Sequence, residues 1–381
     1  MRIPLAFAVL STFTRSALGA RQWNDTGVGT IIFEEAWTIP ELLFQVVSNV
    51  PPVGQTNADL QANLIDVHNQ RLAHMDATGV DFMVLSCASP CIQGIQDAAN
   101  ASAMATTVNN ALADIISNNT VRFGGFASLS MHDPAAAAQE LNRTVTELGF
   151  FGALINDYQV AGTEDNITFI FYDQPEFDVF WQMVVALDVP VYFHPRSNPD
   201  PVGSLLYDHA PFLKGPSQEF AVTLSTHILG LCVNGVFEYV FWQALCVYDH
   251  TDSSLPCVLS RFPNLTILVG HLGERVPSDL WRINDQLLRQ VPEGMPMQKN
   301  VTFYLENNVV ETTSGNFATD LLMFHSQQIG LDRIVYSVDY PFVAMEQGEA
   351  WLKNELPAVL NETELLALKR GRAIELLKLN Q

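Results

Sequence analysis

Basic side chains are scarce in this sequence. Only 19 lysines and arginines stand against 41 aspartates and glutamates in 381 residues, a formal net charge of −22. Nucleic acid is excluded as a partner, because its binding depends on neutralising phosphates with Lys and Arg. The same deficit argues against an anionic membrane surface, and the acidity reads as solubility. Long apolar runs are missing too. No stretch reaches about 18 uninterrupted apolar residues, so no membrane-spanning helix is expected. Cysteine is sparse, with five at positions 87, 91, 232, 246 and 257. An odd number leaves at least one free or bonded to another chain, and the spacing fits no zinc knuckle. Cys87/Cys91 and Cys246/Cys257 are the local pairs to test. Charged residues make up 16% and hydrophobic ones 48%, which excludes wholesale disorder and allows a large core.

The first twenty residues, "MRIPLAFAVLSTFTRSALGA", have the parts of a secretory signal peptide. Arg2 supplies the positive start, Ile3 to Phe13 the apolar run, and Ala17 to Ala20 the small residues for cleavage. Eight Asn-x-Ser/Thr sequons begin at Asn24, Asn100, Asn118, Asn142, Asn166, Asn264, Asn300 and Asn361. Chance would supply roughly three. Leader and sequons together predict a secreted glycoprotein, in a compartment that permits disulfides.

From residue 28 onward, apolar strands alternate with helical patterns. The strands expected are 30–35, 82–87, 123–130, 152–157, 189–194, 265–271, 301–307 and 333–339. Helical stretches such as "QRLAHMDATG" and "PAAAAQELNRTVTELG" lie between them. Eight strands with intervening helices predict a parallel sheet closed into a single (β/α)8 barrel of α/β class, over residues 28–381. The aromatic, cysteine-bearing segment at about 238–260 interrupts this order and reads as an insertion.

Active sites of such barrels form at the C-terminal strand ends. Those ends carry Glu34 and Glu35, Asn156 and Asp157, His194, His271 with Glu274 three residues on, and Asp339. Two carboxylates and an imidazole from three strands suit a divalent cation such as zinc or manganese, with positions left open for substrate. Side chains alternate along a strand, so Glu34 and Ala36 face the mouth while Glu35 points elsewhere. Any one of these residues alone is more often structural: a strand-end histidine is commonly just hydrogen-bonded, and Asp339 before Tyr-Pro begins a turn. Their joint placement carries the argument.

The motifs "EEAWTIPE", "RLAHMDATGVDFMVLS", "SMHDPAAAAQEL", "GFFGALIND", "VPVYFHP", "GHLGERVPSDLWRI", "TTSGNF" and "DRIVYSVDYPF" occur in an order that resembles the amidohydrolase-related decarboxylases. That group includes γ-resorcylate, 2,3-dihydroxybenzoate, salicylate and aminocarboxymuconate-semialdehyde decarboxylases. The resemblance, strongest toward the fungal salicylate and dihydroxybenzoate enzymes, implies the amidohydrolase-type barrel and metal ligands Glu34, His194 and Asp339. It implies His271 and Glu274 as a supporting pair and Asn156 near the substrate. Many relatives carry a histidine where Ala36 stands here, so the resemblance leaves three protein ligands. It implies one divalent ion, zinc first, with magnesium or manganese as alternatives, and a homodimer or homotetramer. Intracellular relatives lack a leader like residues 1–20, which makes a cytoplasmic location the alternative to secretion. Relatives also run almost directly from "VNGVF" to "RFP", so 238–260 is either a surface loop or a retained intron.

The reaction so implied is non-oxidative decarboxylation of a small aromatic carboxylic acid of the hydroxybenzoate class, a carbon–carbon lyase step. Loss of CO₂ would leave an aryl carbanion unless the ring carbon is protonated first. Asp339 is the expected acid, with His271 and Glu274 setting its protonation. Two other readings stay open on the same scaffold. One is a metal-dependent hydrolase of a lactone, ester or amide. The other is a non-catalytic secreted binding protein.

Overall fold

Apolar runs become strands at seven of the eight expected places, and the eighth shows why period matters. In the computed structural model, which describes residues 22–46, 51–52, 54–163, 165–238 and 261–380, the segment 301–307 is helical rather than extended. Asn300 accepts a hydrogen bond from the Phe303 N–H and caps a helix over Val301–Asn308. Val301, Tyr304, Leu305 and Asn308 are its buried residues, a helical spacing rather than an alternating one. The strand follows at once, as Val309–Thr312. The leader at 1–20 and residues 239–260, with Cys246 and Cys257, lie outside the described residues.

The strands are β1 Thr30–Trp37, β2 Val80–Cys87, β3 Phe123–Gly125, β4 Ala153–Asn156, β5 Gln159–Thr163, β6 Asn166–Ile170, β7 Val191–His194, β8 Ile267–Val269, β9 Val309–Thr312 and β10 Ile334–Val335. Hydrogen-bonded order runs β1-β2-β3 in one sheet and β4-β7-β8-β9-β10 in another, all parallel. A parallel bridge between Ala127 and Ala153 joins β3 to β4. On the other side the Ala36 N–H donates to the Tyr340 carbonyl at 2.7 Å. Eight strands thereby close into the (β/α)8 barrel, of the amidohydrolase type, that the sequence predicts. The antiparallel hairpin β5–β6 stands outside the ring and is additional to the eight strands that the sequence predicts.

Two apolar layers follow from strand alternation. Phe33, Phe82, Val84, Phe126, Tyr192 and Leu268 share the cluster that fills the barrel interior. Ala373, Leu377 and Leu379 of the C-terminal segment join it. Arg370 ties that segment to the strand starts through the Gly29 carbonyl and the Asp81 carboxylate, each at 2.8 Å. This plugs one end and leaves the C-terminal strand ends as the mouth. The opposite strand faces, with Ile32, Met83 and Leu85, pack against the helices. Asp97 caps the helix Ala98–Ile116, and Asp133 caps Pro134–Thr146, over the helical stretch that the sequence predicts.

The register of β1 against β2 slips by one residue. Ile32 pairs with Met83 but Glu35 with Leu85, so three steps on β1 match two on β2. This β-bulge changes which side chains point inward. Ile31 and Phe33 face the interior before it; Ala36, which pairs with Ser86, lines the mouth after it.

Candidate metal centre

Four side chains from four strand ends converge at the mouth. Glu34, His194, His271 and Asp339 each offer an oxygen or nitrogen, and these atoms lie within 4.8 Å of one another. Glu34 Oε1 is 3.5 Å from both His194 Nε2 and His271 Nε2, and Asp339 Oδ2 is 3.7 Å from His271 Nε2. Three of the four are the ligands the resemblance implies. The structure brings His271 to the same point.

Glu34 is nearly inaccessible, yet its two oxygens are treated differently. Oε2 accepts hydrogen bonds from the Tyr192 hydroxyl and, at 2.9 Å, from Thr312 Oγ1. Oε1 is buried without a hydrogen-bond partner and points at the histidines. An unsatisfied buried carboxylate oxygen costs several kcal/mol unless a cation meets it, of order 1–3 kcal/mol even for a neutral group. His194 has the matching tautomer: Nδ1–H donates to the Pro195 carbonyl at 2.7 Å, leaving the Nε2 lone pair toward the cluster. The donor set of two carboxylates and one or two imidazoles therefore fits a single divalent ion.

Local backbone geometry makes the convergence possible. After β8 the chain takes a left-handed turn, with positive φ at His271, Leu272, Gly273, Glu274 and Arg275. Such a conformation costs roughly 1–2 kcal/mol per non-glycine residue, so it persists only because contacts impose it. His271 Nδ1 and Glu274 Oε1 are 2.6 Å apart, Asn316 donates to the His271 carbonyl at 3.1 Å, and Arg275 donates to the Ser217 carbonyl at 3.0 Å. Gly270 is required just before the turn. A Cβ there would sit 2.4 Å from Glu34 Oε1.

Charge around His271 is lopsided. Burial works against its charged form, but Glu34, Glu274 and Asp339 together raise its pKa well above the ordinary imidazole value. Burial raises the Asp339 carboxyl, against the opposing pull of His271.

A small pocket opens beside the cluster, lined by Glu34, His194, Asp339, Leu154, Phe342 and the β1–β2 pair Ala36 and Ser86, among others. Ala36 contributes space where a fourth ligand from β1 would stand. Cys87 also lines it and forms a disulfide with Cys91, one of the two pairs picked out from the sequence. Cys232 is free and buried.

Other expected residues sit apart from the cluster. Asn156 is buried near the mouth, with Nδ2 3.4 Å from the Pro90 carbonyl and Oδ1 unpartnered, and it does not line this pocket. Asp157 points to the helical layer, 3.1 Å from His227. Glu35 also faces away, as alternation predicts, and is fully buried. Sequence reading missed Tyr192, Thr312 and Ser314, whose hydroxyls form a chain to Glu34, with Thr312 Oγ1 2.8 Å from Ser314 Oγ. Tyr192 was findable, two residues before His194 on one strand face. Thr312 and Ser314 were hidden by placing the seventh strand at 301–307.

Comparison with known proteins gives the lineage. Residues 65–379 match the amidohydrolase family model. The γ-resorcylate decarboxylase of Rhodococcus jostii is 36% identical over 355 residues, covering 93% of this chain and 99% of that protein. A 2,6-dihydroxybenzoate decarboxylase solved with 2,6-dihydroxybenzoate has a TM-score of 0.80 at 36% identity, covering 92% of this chain and 99% of the other. The dihydroxybenzoic acid decarboxylase of Polaromonas, solved with manganese and the inhibitor 2-nitroresorcinol, has a TM-score of 0.81 at 33% identity, covering 93% and 98%. Likeness at this level, over nearly the whole of each chain and on one closed barrel, means that this chain belongs to the amidohydrolase family, within its group of aminocarboxymuconate-semialdehyde-type decarboxylases.

Proposed function

We propose that this chain is a carboxy-lyase that uses one divalent metal ion to decarboxylate a hydroxybenzoate-type acid without net oxidation. The observation that carries this reading is Glu34 Oε1, buried, partnerless and aimed at His194 and His271 with Asp339 alongside. The named relatives act on dihydroxybenzoates, and their chains align with this one almost end to end.

Glu34, His194 and Asp339 would hold the ion, and His271 stands within reach of the same point. When bound, the ion would supply positive charge against the anionic groups of the substrate. Leu154 and Phe342 offer the ring apolar contact, and Ala36 and Ser86 leave room at the floor. Asp339 gives a proton to the ring carbon that carries the carboxylate. The carbon–carbon bond then breaks, its electron pair restores the aromatic ring, and CO₂ leaves. Asp339 acts as the acid, and His271 Nε2, 3.7 Å away, is placed to return the proton. Glu274 orients His271 through Nδ1. Asn156, with its unpartnered Oδ1, is the candidate polar contact for a larger ring substituent.

The donor set suits both zinc, expected from the sequence, and manganese, present in the Polaromonas relative. Secretion fits two further observations. Cys87 and Cys91 are joined by a disulfide, and none of the eight sequon asparagines is buried. Assembly as a homodimer or homotetramer, implied by the resemblance, is a light-scattering measurement.

The test is CO₂ release from 2,6-dihydroxybenzoate, 2,3-dihydroxybenzoate and salicylate by protein loaded with manganese or zinc. Asp339→Asn should lower turnover by about 10²–10⁴-fold on at least one of them. Full turnover in that variant with the metal still bound would refute the acid assignment.

A further inference from the structure

Glu35 is fully buried, faces away from the mouth and takes no part in the cluster, yet it accepts three hydrogen bonds. Ser337 Oγ donates to Oε1 at 2.8 Å, the Val338 N–H to Oε1 at 3.1 Å, and the Tyr340 N–H to Oε2 at 2.7 Å. Those donors bracket Asp339, which has φ +76°. A non-glycine residue in the left-handed region is strained and needs its neighbours fixed on both sides. Glu35 fixes both sides. The Arg71 guanidinium, 4.7 Å from the Tyr340 ring centre, and the Ala36 N–H on the Tyr340 carbonyl complete the anchorage.

The same unit holds the other metal carboxylate. At the bulge in β1 two successive N–H groups, of Phe33 and Glu34, are turned toward one acceptor. That acceptor is Ser337 Oγ, at 2.9 Å and 3.0 Å. A serine hydroxyl has one donor and two lone pairs, so these two bonds and the one to Glu35 exhaust it. The bulge is what lets Glu34 enter the mouth while its neighbour Glu35 stays behind it.

We infer that Glu35 is a positioning residue for the metal centre: with Ser337 it sets both the β1 bulge that aims Glu34 and the left-handed turn that aims Asp339. This rests on the proposed function for the identity of the centre, but its geometry does not involve the substrate. At a pH where Glu35 is ionised, at which the comparison is made, replacing it by Gln keeps one acceptor oxygen and sets an NH₂ group against one of the present donors. The clamp loosens on one side only.

Manganese affinity of metal-stripped protein, followed by electron paramagnetic resonance, is the primary readout. It is taken at a temperature where circular dichroism shows each variant folded. Glu35→Gln should bind manganese at least about tenfold more weakly than wild type, the size seen when partners behind a metal site are removed. Its kcat should fall by a similar factor. Ser337→Ala should move both quantities in the same direction by a smaller factor. A merely structural role would lower the melting temperature and leave the manganese affinity of the folded protein unchanged. Should Glu35→Gln fail to fold, Ser337→Ala decides by the same measure. Unchanged affinity in the folded variants, with wild type binding normally, overturns the inference alone. A wild type that binds no manganese overturns the proposed function as well.

Discussion

Glu34 and Glu35 are adjacent, chemically identical and almost wholly buried, yet they sit on opposite faces of one strand and do opposite things. Glu35 has every donor it needs: a hydroxyl and two backbone N–H groups. Glu34 has one oxygen satisfied by Tyr192 and Thr312 and one with nothing to accept. A buried carboxylate filled by backbone donors is scaffold. One left half-filled beside two imidazoles and another carboxylate has the make-up of a cation ligand. The two depend on each other, because the bulge that separates them is held by Ser337, which bonds Glu35.

The largest effect separating the two acids should appear in the pH dependence of stability of the metal-free protein. Burial, outweighing its hydrogen bonds to Ser337, Tyr340 and Val338, raises Glu35 from 4.5 to about 7. The folded protein then keeps a proton that the unfolded chain releases near 4.5. Glu35's contribution is fully present below that pH, declines as pH rises, and is lost through about 7. Over that window wild type should lose roughly 3 kcal/mol of unfolding free energy that Glu35→Gln does not lose. Urea unfolding of both proteins at pH 4.5 and 7.5 measures it, and parallel changes would contradict it.

A substitution on the Glu34 side should show up in the metal rather than in the fold. In Gly270→Ala the new Cβ meets Glu34 Oε1 at 2.4 Å. The carboxylate must swing aside, and manganese affinity should fall about 10–100-fold. Affinity within twofold of wild type would mean that Oε1 is not a ligand. The smallest effect is expected for Tyr192→Phe, which removes one of two hydroxyls from Oε2. Loss of a hydrogen bond to a charged group is worth about 1.5–3 kcal/mol when isolated, but Thr312 remains as a donor, so the lower end is expected. Isothermal titration with manganese distinguishes roughly tenfold weakening from none.

The sequence showed much of this because its signals are short-range. Period-two alternation put Glu34 and Ala36 together and Glu35 opposite, and strand ends gave His194, His271 and Asp339. What stayed hidden needed the third dimension. The β1 bulge has no composition of its own, so nothing in "TIIFEEAW" announces that Phe33 and Glu34 share Ser337 across 304 and 303 residues. The apolar content of "VTFYLEN" suits a strand as well as a helix, and only the Asn300 cap and the 3–4 spacing of its buried residues make it a helix, which moves the strand on to Thr312. The left-handed turn at His271–Arg275 was equally invisible, since only one of its five residues is a glycine.

The most direct test compares wild type and Glu34→Ala for bound metal, by elemental analysis, and for CO₂ release from 2,6-dihydroxybenzoate. The account predicts about one divalent ion per chain and measurable CO₂ from wild type, with both lost in Glu34→Ala. A Glu34→Ala protein that keeps its metal and its turnover would contradict it.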